Sequence, residues 1–346
     1  MPVSSPQPNP PKPKPGPAPD SRLAALDRWM AANPWHPRAT PFFVYMILIL
    51  VGGFVTDGVF GLPDLTTLKP AVYTVQVGLV VFLLWRYRDL LPELNIKFHW
   101  LAVPTGVGLL FAWVYLGYFT IELSRAVQDV PGLNRVAAFL VDPSLPTSPD
   151  QARALLDEGK AKPSWIRDGR LTYGDAWFWT TMSLRLLGMS IVVPLFEELW
   201  VRSAVLRGVF SPSKTKLALI QLASDLPLIG DYLAQTEAGK RAAQAPPMFT
   251  QQLSETRVGQ VTLFAVVVST VVFMAAHQRR DYLGCVACGL VWCWLVWVTN
   301  KPKQGEAWAD QPPGGRYGIG PIVWSHGITN AALWAWTLYT NDWQYL

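Results

Sequence analysis

The chain has 346 residues, half of them apolar (51%) and only 15% charged, with 17 tryptophans and a mean hydropathy of +0.21. That balance excludes an ordinary soluble domain and fits a membrane protein. The net charge of +5 does not point to nucleic acid, because the Lys and Arg residues are scattered between apolar runs and form no basic stripe.

Residues 1–38 read as a proline-rich, disordered cytoplasmic tail that cannot bury a core, with a short interfacial helix over Arg22–Met30. The tail lacks the charged start, apolar core and small-residue cleavage site of a secretory signal, so insertion is expected to rest on the first span. Apolar runs at Pro41–Leu62, Pro70–Trp85 and Trp100–Ile121 each approach the ~20 residues a helix needs to cross a bilayer. Lys12, Lys14, Arg22, Arg28 and Arg38 precede the first run, and Arg86, Arg88 and Lys97 follow the second. Both flanks are thereby assigned to the cytoplasmic side, with the amino terminus inside. Asp57, with Gly58, Gly61 and Pro63 after it, reads as a frayed span end in water rather than a functional carboxylate. From Glu122 to Asp175 the chain turns polar, a non-cytoplasmic loop holding Pro143 and a short helix over Pro149–Glu158.

Ala176–Phe210 is apolar again, and a helix of ~35 residues would exceed about 50 Å, so it must tilt, kink at Pro194 or begin in the interface. Ser211–Gly259 reads as an inserted cytoplasmic segment, with an amphipathic piece at Lys216–Ala234 and a break at Pro246 and Pro247. Spans at Val261–His277, Leu283–Thr299 and Gly318–Thr340 complete the chain. The prediction is an all-α, polytopic transmembrane helical bundle of about seven to eight spans. Its parts are the tail (1–38), the N-terminal spans and polar loop (39–173), and a late core (174–346) interrupted at about 211–259. Cys285, Cys288 and Cys293 share one apolar run and read as packing residues, since no second C-x-x-C accompanies the first. Trp292, Trp294, Trp297 and Trp324 are assigned to anchoring and packing rather than ligand stacking.

The chemistry concentrates in Pro194-Leu195-Phe196-Glu197-Glu198-Leu199-Trp200-Val201-Arg202. An ionised side chain near a bilayer centre costs on the order of 2.5–3.5 kcal/mol, so three together need partners and a purpose. On a helix Glu198 and Arg202 stand at i and i+4 and can pair, while Glu197 points about 100° away and is left free for chemistry. Two later spans add polar groups: His277 after Phe273, and His326 one turn before Asn330. Singly, either imidazole reads as hydrogen-bonded packing. Two carboxylates, two imidazoles and an amide in separate apolar segments point instead to one wet pocket.

The set Glu-Glu-x-x-x-Arg (197–202), Phe-x-x-x-His (273–277) and His-x-x-x-Asn (326–330) resembles the CPBP (Abi) family of intramembrane glutamic proteases, which includes the Rce-type CAAX prenyl endopeptidases. The resemblance implies an endopeptidase in which Glu197, with His277, holds and deprotonates the attacking water. It implies that Glu198 and Arg202 orient the site, and that Asn330 with His326 donates to the oxyanion. Ser203 stands where members often have Gly, and the 211–259 link is longer than the family leads one to expect. For Glu197 and His277 to meet, the fourth helix must run past Arg202 and the fifth past His277.

The implied partners are a membrane-associated protein or peptide substrate, the bilayer and, through bacterial members that accompany exosortases, a protein-sorting system. The implied location is the bacterial inner membrane. No cofactor is expected. A zinc-dependent hydrolase is the alternative chemistry, opposed by the absence of H-E-x-x-H, and a non-catalytic scaffold or immunity-type protein is the alternative class.

Overall fold

A computed structural model describes residues 22–56, 66–133, 145–158 and 164–345, and these form helices and connecting turns, without strands. The proline-rich start of the tail, Asp57 with its neighbours Gly58, Gly61 and Pro63, and Pro143 lie outside the described residues. Helix α1 (Arg22–Ala32) is the expected interfacial piece. Helix α2 (His36–Thr56) begins five residues before the expected span, with Pro41 inside it, where its missing N–H removes the helical bond to the Pro37 carbonyl. Helices α3 (Lys69–Arg86) and α4 (Ala102–Val127) follow, then α5 (Pro149–Asp157), capped by Ser148, whose hydroxyl accepts from the Gln151 N–H.

The fourth apolar stretch becomes one long helical path of unusual winding. It comprises α6 (Trp165–Leu187), a π-helical stretch over Gly188–Val192, α7 (Val193–Glu198), a second π-helical stretch over Leu199–Val205, and α8 (Leu206–Gly208). The path kinks at Gly174, whose φ of +82° a side chain would oppose. Four short helices make the insertion: α9 (Pro212–Ser224), α10 (Ile229–Ala234), α11 (Glu237–Gln244) and α12 (Met248–Glu255). The amphipathic piece expected over 216–234 is thus divided at Leu228. Helices α13 (Leu263–Ala275), α14 (Tyr282–Asn300) and α15 (Gly320–Thr340) match the last three expected spans closely.

By length and composition, three of the described segments are apolar enough to cross a membrane: His36–Phe54, Ala102–Val127 and Arg279–Asn300, with Leu263–Ala275 apolar but shorter. The remaining expected spans are diluted by polar groups such as Gln76 in α3 and Ser325, His326, Thr329 and Asn330 in α15. The chain is an all-helical membrane bundle whose outward face carries exposed aliphatic side chains, among them Ile47, Leu50, Val75 and Val271. Helix α15 lies against α4, and α2 lies against the second π stretch, so early and late helices share one packed body. Gly106 of α4 allows this approach: a Cβ there would overlap the Ser325 carbonyl and the Ile328 side chain.

A buried ionic knot reinforces that union. Glu93, in the link between α3 and α4, is fully buried and receives Arg38 from α2 in a paired contact, Nη2 to Oε2 at 2.8 Å. The Ser203 hydroxyl donates to the same carboxylate, and Arg207 lies 3.9 Å away. Ser203 is therefore not a neutral stand-in for Gly: it fastens the second π stretch to the amino-terminal helices.

Candidate active site

Pro194 shapes the helix before the carboxylates. Lacking an N–H, it cannot serve as the helical donor to the Met189 carbonyl five residues earlier, as Val193 does to Gly188. Helix α15 meets this edge. The Asn330 amide donates to the Met189 carbonyl at 2.7 Å, and Gly327 sits so close to the Ser190 carbonyl that a Cβ would overlap it. The wide turns thus give the helix a docking edge, and α15 takes it with His326 one turn below Asn330.

His326 is the centre of the arrangement. Its Nδ1 lies 2.9 Å from Glu198 Oε1, and its Nε2 lies 3.8 Å from Glu197 Oε2. Glu198 is fully buried and faces the equally buried Arg202 guanidinium, Nε to Oε2 at 3.4 Å. A carboxylate only accepts, which puts the imidazole proton on Nδ1 and leaves the Nε2 lone pair turned toward Glu197. Glu197 is 12% exposed, and among the described residues its Oε2 has no hydrogen-bond partner. Two acceptors therefore face each other across a gap too long for a direct hydrogen bond.

Aromatic rings hold the charged groups in place. Trp292 stacks on His326 with centroids 4.3 Å apart and donates its indole N–H to Ser325 Oγ at 3.1 Å. Ser325 is in turn hydrogen bonded to Thr105 of α4 at 3.0 Å. Among the described residues the Arg202 guanidinium has no hydrogen-bond partner, and it lies over the Phe273 ring at 4.6 Å and the Trp292 ring at 5.2 Å. Its charge is met by one carboxylate and two ring faces, a substitute for hydration open to Arg and poorly available to Lys.

The expected residues are not equally drawn in. Glu197, Glu198, Arg202 and His326 form one connected cluster, with Asn330 joined to its helix backbone. His277 stands apart: α13 ends at Ala275, and His277 lies in the turn beyond it rather than on a continued helix. Its Nδ1 is 2.8 Å from the Phe273 carbonyl, and its ring packs on Phe273 at 4.3 Å and edge-on to Trp113 at 5.5 Å. Among the described residues no hydrogen bond joins His277 to Glu197, and the imidazole beside Glu197 is that of His326. The helix bearing Glu197 does run past Arg202, to Gly208.

The sequence reading missed the walls of the site. Trp292 is buried against His326 instead of anchoring in the interface, while Trp294, Trp297 and Trp324 are exposed as expected. Ser325 and Thr105 also escaped notice. A signal for Trp292 and Ser325 existed: Trp292 lies one turn past Cys288 on the small-residue face of α14, and Ser325 adjoins His326. Cys285, Cys288 and Cys293 are free, buried thiols in the core.

A zinc ion fits poorly here. It needs three protein ligands at about 2.0–2.2 Å, whereas His326 Nδ1 and Glu198 are engaged with each other, which leaves one imidazole nitrogen and one carboxylate. Among the described residues no group of three or more His, Cys, Asp or Glu side chains is placed to hold a metal.

Fold and site together define a polytopic membrane protein with a buried carboxylate, imidazole and guanidinium centre built on late helices. Residues 179–332, which include all six expected site residues, match the family model described as Type II CAAX prenyl endopeptidase Rce1-like. No curated protein and no solved structure matches the chain.

Proposed function

We propose that the protein is an intramembrane endopeptidase that hydrolyses a peptide bond of a membrane-associated protein with a water activated by Glu197 and His326. The observation that carries this reading is the 3.8 Å approach of Glu197 Oε2 to His326 Nε2, two acceptors in a nearly dry site. A water between them donates one O–H to each and is left with a lone pair aimed outward, the geometry of a nucleophile held by a general base. As the lone pair attacks the scissile carbonyl, Glu197 takes the proton and later delivers it to the leaving amine. Glu198 and Arg202 act as positioning residues through His326. Asn330 uses one of its two amide hydrogens on Met189 and keeps a second for the oxyanion. His277 is assigned to shaping the site through Phe273.

The expected residence in a bacterial inner membrane, with the amino terminus in the cytoplasm, belongs to the same reading, as does a link to protein sorting. Support for the reading comes from the family match, from the charge bias around the first spans and from the connected cluster. The experiment is a comparison of new protein termini in membranes of cells with and without the protein. Termini that appear only with the protein identify substrates, and their absence in every growth condition tested favours the scaffold alternative.

A further inference from the structure

The excursion α9–α12 is rooted tightly at the carboxyl end of the motif helix. Thr262 Oγ1 donates to the Phe210 carbonyl at 2.9 Å, so the chain leaves and returns at one point. Arg207 donates to the carbonyls of Thr256 and Leu253 at 2.8 Å each, and the Gln252 amide donates to the Gly208 carbonyl at 2.8 Å. Within the excursion, the Gln221 side chain donates to the carbonyls of Ala242 and Pro246 and accepts from the Met248 N–H. These bonds make it a wired body rather than a loose connector.

Its apolar side chains are turned outward. Leu219, Leu222 and Leu226 recur at helical spacing along α9 and the turn after it, and Leu228, Ile229 and Tyr232 continue the patch. All six are exposed, from 47% for Ile229 to 82% for Leu228. Leu228 itself has φ of +67°, a left-handed conformation that a leucine resists, at the point where the amphipathic segment bends. A contiguous patch of this kind marks a surface that meets something other than water.

Location identifies what it meets. Helix α9, with 13 residues and a length of about 20 Å, starts two residues after the bonded root at Phe210. Across that root, Leu263 in the first turn of α13 is already 79% exposed on the outside of the bundle. The helix that carries Leu219 and Leu222 therefore springs from the same root as the exposed aliphatic stripe Leu263, Val267 and Val271 of α13. Tyr232 brings the amphipathic ring favoured at the headgroup level, and exposed Lys216, one turn before Leu219, suits an anionic headgroup. We infer that Leu219, Leu222, Leu226, Leu228, Ile229 and Tyr232 form a monotopic anchor that sinks into the headgroup and acyl boundary of the bilayer and seats the excursion beside the end of the catalytic helix. The lipid is the occupant. The inference rests on the protein's being membrane-embedded and not on its chemistry.

The test places a polarity-sensitive fluorophore on single cysteines, Leu222→Cys and Leu228→Cys, with Gln244→Cys as a water-facing control. The three native thiols are buried and do not compete. The full chain is reconstituted in vesicles of phosphatidylcholine and phosphatidylglycerol, and each label is challenged with aqueous iodide and with a nitroxide carried on the lipid near the headgroup. At 222 and 228 the account predicts blue-shifted emission, strong lipid-nitroxide quenching and several-fold weaker iodide quenching than at 244. Equal iodide quenching at all three positions overturns it. Protection that vanishes as the protein is diluted in lipid assigns the patch to a second copy, and protection found only in native membranes assigns it to a protein partner. Both outcomes also overturn the inference. Should either substitution lower the thermal stability, Leu219→Cys and Tyr232→Cys report on the same patch.

Discussion

His326 Nδ1 and Glu198 Oε1 lie 2.9 Å apart, and this contact decides which nitrogen of the imidazole is turned to Glu197. Glu198 is buried and paired with Arg202, and a carboxylate there only accepts, which fixes the Nδ1–H tautomer and leaves Nε2 free to accept. Glu198→Gln, which removes the charge and offers a competing amide donor, is expected to lower kcat by about 10²-fold or more while KM changes little. Steady-state kinetics on one identified substrate checks this, and an equal loss in KM alone contradicts the positioning role.

The two imidazoles are predicted to differ. His326 reaches Glu197 and Glu198, whereas His277 touches the site through Phe273 and Trp113. His326→Ala should therefore approach the loss caused by removing the base, about 10²–10⁴-fold in rate. His277→Ala should retain a measurable fraction, and His277→Phe should recover part of the remainder by restoring the ring. Equal loss from both alanine variants would restore the pairing of Glu197 with His277 that the family resemblance implied.

Arg202 is predicted to matter first for stability. Arg202→Ala leaves Glu198 buried without its cation, a loss on the order of 3–5 kcal/mol, and empties the space over Phe273 and Trp292. Arg202→Lys should recover little, because an ammonium is more strongly hydrated than the guanidinium lying over the two rings. Thermal unfolding in detergent should rank wild type above Lys and Lys at or slightly above Ala.

Glu93 gives the fold a pH dependence with a definite sign. Burial pushes its carboxyl up, but Arg38, with smaller help from Arg207 and Ser203, outweighs burial and holds it below the ordinary value of 4.5. A lowered folded-state value means that the pair's stabilisation is complete above about pH 4.5 and is lost as pH falls through the folded value. Wild type should therefore be more heat-stable than Glu93→Gln at neutral pH, and the difference should shrink on acidification. A gap that stays constant down to the acid limit contradicts this account.

Much of the architecture was legible because spans announce themselves by length and hydropathy: α3, α4, α13, α14 and α15 fall within a few residues of their expected bounds, apart from the later end of α4. The partnership of Glu198 with Arg202 followed from helical spacing alone. The π-helical stretches were not legible, since Pro194 signals a disturbance of the ladder but not whether the helix kinks or widens. With them went the grip of Asn330 on Met189. The Glu93, Arg38 and Ser203 knot was also hidden, because it joins positions 38, 93 and 203 across three segments with no periodic relation. The setting of His277 was hidden too: its spacing from Phe273 shows a shared helix face, whereas the chain leaves the helix at Ala275.

The central claim is that Glu197 is the base. The direct measurement is the cleavage rate of Glu197→Gln in reconstituted membranes on a substrate identified from its new terminus, with thermal unfolding recorded on the same preparation. The account predicts a folded protein of near wild-type stability whose rate falls to the background of empty vesicles. A folded Glu197→Gln protein that still cleaves at a rate close to wild type contradicts it.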